Sequence, residues 1–520
     1  MNTPELLMIS TAICPERESI IFEGKRMTFS DLADRTNRLA NALSGLGVSK
    51  GDKVAMLEIN CNQCIEAYFA TAKLGATYVP LNFRARADEL DYMINFSESN
   101  VLIMGQRYVE MVNGMRGRLS GLRHYISLDG ASDGMLDYET VVAGAEAEEV
   151  FTDIDDDDTA ILMFTAGTTG QPKGVMLTHD NLCAYVLNNV TPADPEIEEK
   201  NILTVPLYHI AGMQAVLAAV YGGRTLVIQR QFDCGEWMRL VESERVTRAM
   251  MVPTMLKQLM EHPEFKERDL SSLQVITYGA APMPVEVISR AIEEFPNTRF
   301  INAFGQTESA STITMLNPED HIIEGTPEER AVKLKRLGSI GRPLGDTEVK
   351  IFGESGSEMP PGEVGEIVAR GPRVMKGYWK ADDATSQTIR DGWLYTGDMG
   401  YVDEDGYIFL AGRAKDIIIR AGENISPEEV EVALHSHPAI DEAAVIGVPD
   451  PQWGEAIKAI VVLKDGAQAT VEEIIEHCRG RMASFKKPES VVFVDELPRN
   501  PMGKVLKRVL REEYGEGGRL

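Results

Sequence analysis

Strand-length apolar runs alternate with helix-length amphipathic segments over most of this chain. Lys53–Leu57, Thr77–Leu81, Thr159–Phe164, Ile202–Leu207, Gln274–Tyr278 and Arg299–Phe304 each read as a strand. Phe29–Leu46, capped by Thr28 and ended near Gly47, reads as a helix, as does Ile65–Leu74, stopped at Gly75. Such alternation implies βαβ units and a parallel sheet. Several of these strands run into glycine-rich or polar residues: Tyr208-His209, Gly279–Pro282 and Gly305–Glu308. Parallel sheets bind their ligands at those C-terminal ends.

The texture changes twice toward the C-terminus. From about 335, short strands such as Glu348–Phe352, Val364–Val368 and Gly406–Leu410 are separated by Gly/Pro turns, which predicts a small β-rich region. After Arg413, a helix over Pro427–Leu434, capped by Ser426, precedes strands at Ala443–Ile446 and Ala459–Leu463. The expected fold class is α/β. It comprises a large N-terminal domain of parallel αβ-layered sheets with a β-rich subdomain over 1–414, and a smaller, mobile α+β domain over 415–520.

Charge and cysteine usage narrow the classes of partner. The chain has 520 residues, with 52 Lys+Arg against 80 Asp+Glu, a net charge of −28. That balance argues against nucleic acid and anionic membranes but leaves room for an anionic ligand held by local cations. The six cysteines are few and scattered, which suits a reducing compartment and a cytoplasmic protein. No signal peptide or membrane-length apolar run is evident.

Three short motifs read as structural. Cys61-Asn62-Gln63-Cys64 lacks a second pair or a thioredoxin-like unit and is assigned a structural role. Gly130–Gly134 matches G-x-S-x-G, but no helix clearly opens directly after it, so a turn is expected rather than a nucleophile elbow. The acidic run Asp153–Asp158 reads as a solvated linker.

The densest signal is Phe164–Gly174, with three glycines, three threonines and Lys173 in eleven residues after a strand. A glycine-rich turn there can aim N–H groups, hydroxyls and a lysine at a phosphate. It is not the common nucleotide P-loop, because Gln171-Pro172-Lys173-Gly174 replaces the Gly-Lys-Ser/Thr ending. A polar loop without a ligand is the other reading of those residues alone.

Seven ordered stretches resemble one superfamily across essentially the whole chain. They are Thr165–Gly174, Pro206–His209, Tyr278–Pro282, Asn302–Glu308, Trp393–Asp398, Gly412–Asp416 and Pro498–Lys504. The chain resembles the adenylate-forming acyl-CoA synthetases, which also include firefly luciferase and peptide-synthetase adenylation domains. The resemblance implies two steps. A carboxylate attacks the α-phosphate of ATP to give an acyl-adenylate and pyrophosphate, and the thiol of coenzyme A then displaces AMP.

The resemblance also implies roles. Thr165, Thr168, Thr169 and Lys173, within the loop that includes Ala166, Gly167 and Gly170, would hold the outer phosphates. Glu308 would bind Mg²⁺, and Thr307 would contact the α-phosphate. Gly279, Ala280, Ala281, Pro282, Asn302, Ala303 and Gly305 would frame the adenine, with Phe304 stacking where the family often has tyrosine. Asp398 would bind the ribose hydroxyls, with Arg413 beside it. Lys504 would reach the reacting carboxylate and α-phosphate, although Asn500–Gly503 is a variant of the usual surroundings. Lys415 would be the hinge of the C-terminal domain, and Ala421, Gly422 and Glu423 would line the thiol path. His209 would be an aromatic gate or a packed histidine.

For the acyl pocket the candidates are Tyr208, His209, Met213, Tyr278, Gly279, Met283, Ala303, Ser309 and Ala310. They are mostly apolar, which suits an aliphatic, alicyclic or aromatic acid. No cation for a second carboxylate is evident. The expected partners are this acid, ATP and coenzyme A, with no nucleic acid and no membrane span. A homodimer is compatible with the sequence, and a free-standing enzyme that loads a carrier-protein thiol is the alternative.

Overall fold

A computed structural model of the chain describes residues 1–130, 134–165, 171–413, 416–420, 423–451, 453–482, 484–499 and 505–515. Among the described residues the strands form four sheets. The largest has nine strands. Its parallel centre runs Arg299–Gln306, Val275–Gly279, Arg248–Met251, Lys200–Leu203, Thr225–Ile228 and Glu18–Phe22. Antiparallel strands flank this centre on both sides.

An eight-stranded sheet has a parallel centre of Thr159–Thr165, Thr77–Pro80, Lys53–Leu57, Val101–Met104 and His124–Ser127. The alternation in the sequence therefore becomes two sheets with parallel centres, as the layered arrangement expected from it requires. Helices Asn62–Lys73 and Ile210–Tyr221 contribute side chains to the same apolar core, which also takes residues from both sheets. That core is continuous because these strands are buried on both faces, as crossover connections require.

The helix expected after Thr28 runs Phe29–Gly45. The Thr28 hydroxyl accepts the Asp31 N–H, and the Asp31 carboxylate returns to the Thr28 N–H. This reciprocal cap satisfies two of the amides a helix start leaves open. The β-rich region forms an antiparallel sheet that includes Glu348–Phe352, Gly365–Arg370, Trp393–Val402 and Ile408–Arg413.

The C-terminal residues carry their own cores. One contains Ile418, Val430, Leu434, Val445, Ile457, Val461 and Ile474, and draws on no residue before 418. A second packs Ile446 and Ile460 against Leu497 and Leu510. The hairpin Ile440–Asp450 and Gly454–Leu463 is the backbone of this α+β unit. Lys257 reaches Asp441 at 2.7 Å and so ties the unit to the larger one.

The three structural motifs resolve individually. Cys61 is the N-cap of helix Asn62–Lys73, and its Sγ lies 3.5 Å from that of Cys64. Both thiols are buried, and all six cysteines are unpaired, in keeping with a structural role. After Gly134 the chain forms a short strand, Leu136–Asp137, before the helix Tyr138–Ala143. A nucleophile elbow needs its helix directly after the turn, and Ser132 itself lies outside the described residues.

The acidic run is exposed, as expected, but it is more than a linker. Asp156 pairs with the Met1 amino group at 2.8 Å, Asp158 with Lys50 at 2.8 Å and Asp157 with Lys376 at 2.6 Å. A row of like charges repels itself, and three cations brought in from distant parts of the chain offset that repulsion. Solvent screens such exposed pairs, so each contributes little to stability.

Arg373 makes the stronger electrostatic tie. Its side chain is fully buried, its Nε donates to Asp346 Oδ2 at 3.0 Å, and its outer nitrogens reach Asp346 Oδ1 and the Thr312 carbonyl oxygen at 2.5 Å. Removing one member leaves the other charge buried and unpaired, which costs about 3–5 kcal/mol. Arg373→Met is therefore expected to lower the thermal unfolding midpoint by more than any exposed Lys→Met change, such as Lys376→Met. A midpoint equal to wild type would contradict this.

Candidate active site

The glycine-rich stretch is bordered by two paired strands. Strand Thr159–Thr165 pairs antiparallel with Lys173–Thr178, and Thr165 stands opposite Lys173. Lys173 therefore opens the returning strand, where its backbone is held, rather than sitting in the turn. Ala166, Gly167, Thr168, Thr169 and Gly170 lie outside the described residues. Gly174 sits tightly here: a Cβ would meet Leu162 Cδ1 at 3.0 Å, and its carbonyl oxygen accepts the Trp379 N–H at 2.8 Å.

That last bond brings a distant segment against the hairpin. Gly377–Tyr378 forms a short strand on Val175–Met176. The Lys173 ammonium sits 4.6 Å from the centre of the Tyr378 ring, and the Tyr378 hydroxyl donates to Glu308 Oε1 at 2.9 Å. Burial, and then the Glu308 carboxylate, push the Tyr378 phenol pKa well up, so it remains a donor. One ring thus joins two of the expected residues that are far apart in sequence. Nothing in the sequence marked Tyr378, because a Gly-Tyr pair has no distinctive pattern.

Glu308 is presented by a tight turn. Strand Arg299–Gln306 ends in the single helical turn Thr307–Ser309. At Gly305 a Cβ would lie 1.5 Å from the Ser311 carbonyl oxygen, so only glycine allows the chain to double back there. Ser309 is fully buried. Its hydroxyl accepts the Gln306 N–H at 3.0 Å and its proton reaches the Gln306 and Ser311 carbonyl oxygens. It is the cap of this turn rather than an acyl-pocket residue. Hairpin strand Lys173–Thr178 and strand Trp393–Val402 both run beside the turn.

The neighbouring strand ends at Gly279, which faces Ala303; a Cβ at Gly279 would lie 2.2 Å from the Ala303 carbonyl oxygen. Ala280 follows in a left-handed conformation, and Ala280 and Pro282 form an exposed rim with Ala281 half-buried. Asn302 is buried and its Nδ2 donates to the Ser339 carbonyl oxygen at 3.2 Å. Phe304 is half-buried against Ile340, Ile351, Ile367 and Ile408.

Asp398 and Arg413 stand opposite each other on adjacent strands of the β-rich sheet. The Arg413 Nε lies 2.7 Å from Asp398 Oδ1, and another guanidinium nitrogen donates to the Thr396 carbonyl oxygen at 3.0 Å. The two expected sugar-side residues are therefore a fixed pair. At Gly412 a Cβ would lie 2.3 Å from Glu428 Oε2, which presses the C-terminal unit closely against this strand. Lys415, Ala421, Gly422 and Lys504 lie outside the described residues, and Glu423 is described only as backbone, paired with Arg420.

A cavity of about 210 Å³ lies between the nine-stranded sheet and helix Ile210–Tyr221. Ala211, Ala215 and Ala218 line it from the helix, and Thr277, Ile301 and Ala303 from the strands. Three residues expected in the acyl pocket pack elsewhere, Tyr278 because strand side chains alternate between faces. Tyr278 is one residue out of phase with Thr277. It points into the opposite core, where its hydroxyl and His321 Nε2 are 2.9 Å apart. Met213 is fully buried in the core shared by both sheets. Met283 packs against the same rear core as Tyr278. Cations do stand at the far end of the cavity: Arg224 and Arg248 line it, and both bond to Glu199.

Tyr208 and His209 precede the cavity helix, with ring centres 4.1 Å apart. Their loop is held by Asn60, a buried residue the sequence reading did not single out. Its Oδ1 accepts the Leu207 N–H at 3.0 Å, and its Nδ2 donates to the Val205 carbonyl oxygen at 3.1 Å. His209 Nε2 has no hydrogen-bond partner among the described residues. Burial, and then the nearby Arg84 charge, pull the His209 pKa down to about 3 from 6.5. The folded state thus refuses a proton that the unfolded chain accepts below pH 6.5, so stability falls as pH drops from 6.5 toward 3. His209→Phe is expected to make the acid-side fall in unfolding midpoint shallower across that window; an identical slope would refute this.

Comparison with known proteins was consistent over the full length. Residues 10–379 match the AMP-binding enzyme family model, and residues 429–504 match the AMP-binding enzyme C-terminal domain model. The chain is 39% identical over 503 residues to a feruloyl-CoA synthase of an Amycolatopsis species, covering 96% of each chain. It is 34% identical over 492 residues to a long-chain-fatty-acid–CoA ligase of Mycobacterium tuberculosis, covering 94% of this chain and 93% of that one. Among solved structures, an anthranilate CoA ligase in complex with anthranoyl-AMP superposes with a TM-score of 0.89 at 26% identity, over 99% of this chain and 97% of that one. A Mycobacterium tuberculosis fatty acyl CoA synthetase gives 0.77 at 32% identity, over 99% and 98%. With both family models matched in order and full-length relatives at up to 39% identity, this chain belongs to the AMP-binding enzymes, the adenylate-forming superfamily of acyl-CoA ligases.

Proposed function

We propose that the protein is an AMP-forming ligase that joins a carboxylic acid with an apolar acyl group to coenzyme A. The observation that carries this reading is the meeting of Lys173, Tyr378 and Glu308 at the C-terminal edge of the strands. A cation and a carboxylate held side by side by one phenol suit a polyphosphate and its counter-ion. The acyl groups named in the relatives, feruloyl, long-chain fatty acyl and indoleacetate, support an apolar acid.

In the first step a carboxylate oxygen attacks the α-phosphorus of ATP and the bond to the bridging oxygen of the β-phosphate breaks, releasing pyrophosphate. Thr165 and Lys173, with Thr168 and Thr169, hold the departing phosphates. Thr307 donates to the α-phosphate, where negative charge collects. Asp398 accepts from the ribose hydroxyls, and its bond to Arg413 fixes the direction of its lone pairs.

Mg²⁺ fits at Glu308, a half-buried carboxylate that only the Tyr378 hydroxyl reaches among the described residues. A hard divalent ion there neutralises phosphate oxygens. In the second step the thiol sulfur bonds to the acyl carbon and the bond to AMP breaks. Lys504 serves the first step, and Ala421, Gly422 and Glu423 line the thiol path in the second. We place the domain boundary at 414/415, with Lys415 as the hinge. The buried core residues run to Ala411 and resume at Ile418, which opens the separate C-terminal core, and this supports the division. A cytoplasmic location is supported by six unpaired cysteines.

The decisive experiment is pyrophosphate release over a panel of carboxylic acids, with and without coenzyme A. Acid-dependent release, followed by thioester formation only when coenzyme A is added, is expected; release independent of any acid would remove the ligase reading. Lys504→Ala is expected to abolish acyl-adenylate formation while sparing thioester formation from supplied acyl-adenylate, and equal loss of both would overturn its role. Tyr378→Phe keeps the ring under Lys173 but loses the bond to Glu308. A hydrogen bond to a charged group is worth about 1.5–3 kcal/mol, so adenylation is expected to slow roughly 10- to 100-fold, with a raised Mg²⁺ requirement. Wild-type rates at limiting Mg²⁺ would contradict it.

A further inference from the structure

Packing in the core accounts for the burial of Cys61 and Cys64, but not for the way their sulfurs face each other. Cys61 has an extended backbone as the N-cap of helix Asn62–Lys73, and Cys64 stands in the first turn. Residues three apart at a helix start lie side by side, and the two Sγ atoms are in contact at 3.5 Å. Both are free thiols. The Cys64 thiol also donates to the Ile59 carbonyl oxygen at 3.6 Å. Its hydrogen bond with Cys61, and then burial, push the Cys64 thiol pKa well up, so this sulfur keeps its proton.

A second cavity of about 210 Å³ reaches the pair from one side. Cys61 lines it with Glu58, Gln63 and Arg230, whereas Cys64 does not. The lining also includes Glu23, Lys25 and Asp129, which are exposed, so the cavity opens to solvent. Its volume admits molecules little larger than water. Cys61 therefore meets a small oxidant first, and Cys64 stands directly behind it.

We propose that Cys61 and Cys64 form a peroxide-sensitive dithiol whose reversible disulfide disturbs the loop leading to Tyr208 and His209. The Cys61 sulfur attacks one oxygen of hydrogen peroxide and the O–O bond breaks. The departing hydroxide takes the Cys61 proton as water, which leaves a sulfenic acid. The Cys64 sulfur then attacks the Cys61 sulfur, the S–O bond breaks, and the Cys64 proton departs with the second hydroxide as water. Two thiols are oxidised and one peroxide is reduced. In a reducing compartment such a bond is transient, which suits a sensor.

The link to the loop runs through Asn60, which lies between Ile59 and Cys61. Its Oδ1 accepts the Leu207 N–H at 3.0 Å, and its Nδ2 donates to the Val205 and Gln229 carbonyl oxygens at 3.1 and 3.3 Å. Oxidation pulls the Cys61 sulfur toward the helix and removes the Cys64 donor from the Ile59 carbonyl oxygen. Both neighbours of Asn60 are then displaced, and its three bonds are strained.

The test treats the full chain with graded hydrogen peroxide and maps its thiols by mass spectrometry. Trypsin releases Val54–Lys73 with both cysteines in one peptide. This peptide is expected to lose two hydrogens, reversibly with dithiothreitol, while the buried Cys14, Cys183 and Cys478 remain thiols. Retention of both thiols at a dose that oxidises the half-buried Cys234 would overturn the proposal. In Cys64→Ser, dimedone should trap a sulfenic acid on Cys61, and trapping on other cysteines alone would overturn the assignment of Cys61; the wild-type map decides the disulfide if that variant misfolds. Hydrogen exchange at the Leu207 amide should quicken on oxidation, and an unchanged rate would overturn the link to the loop. Small misplacements far from the chemistry cost up to about 100-fold in rate, so pyrophosphate release is expected to fall about tenfold and to recover with dithiothreitol. A loss that dithiothreitol does not restore would place the damage elsewhere and count against the switch. The site stands apart from the ligase reading: if the reduced protein activates no acid, that reading fails, while the thiol map and the exchange rate still decide the disulfide and its link to the loop.

Discussion

The site depends on backbones that come closer than any side chain permits. At Gly305 the neighbouring Ser311 carbonyl oxygen occupies the space a Cβ would need, and at Gly279 the Ala303 carbonyl oxygen does the same. These contacts let strand Arg299–Gln306 end abruptly and turn through Thr307–Ser309. Without that turn Glu308 would continue along a sheet edge. With it, Glu308 faces the hairpin that carries Lys173, and the strand carrying Asp398 passes alongside. Three segments far apart in the sequence thus meet at one reversal of the chain.

Around that turn, polar groups are fixed before any ligand arrives. Tyr378 holds Glu308 through its hydroxyl and Lys173 through its ring face, and Arg413 holds Asp398. Preorganised charges need no reorganisation when new charge develops on a phosphate. The chain as a whole is strongly acidic, with a net charge of −28, so an anionic nucleotide approaches against the global field. Local cations such as Lys173 and Arg413 then matter more than their number suggests.

The cavity follows a different logic. Its walls include alanines and apolar strand residues, with a few buried polar atoms that have no partner among the described residues. Asn60, on the other parallel sheet, fixes the loop that leads to Tyr208 and His209.

The sequence by itself determined the parallel strands, the cap at Thr28 and the order of the motifs, because these rest on local pattern and on spacing along the chain. It placed a strand ahead of the glycine-rich stretch, where Thr159–Thr165 runs, and it singled out Glu308, Asp398 and Arg413. It could not tell which face of a strand each residue takes. Tyr278 was read toward the acyl group, yet a single step of pleat turns it into the rear core against His321. Ser309 was read as pocket and is a cap, and Met213 was read as pocket and is core. Tyr378 and Asn60 were invisible because their roles exist only in partners far away in the sequence. The same holds for Asp153–Asp158, read as a linker until Met1, Lys50 and Lys376 arrive. Local chemistry is written in the order of residues, whereas facing, burial and pairing are set by which segments the two sheets bring together, and only the tertiary structure decides that.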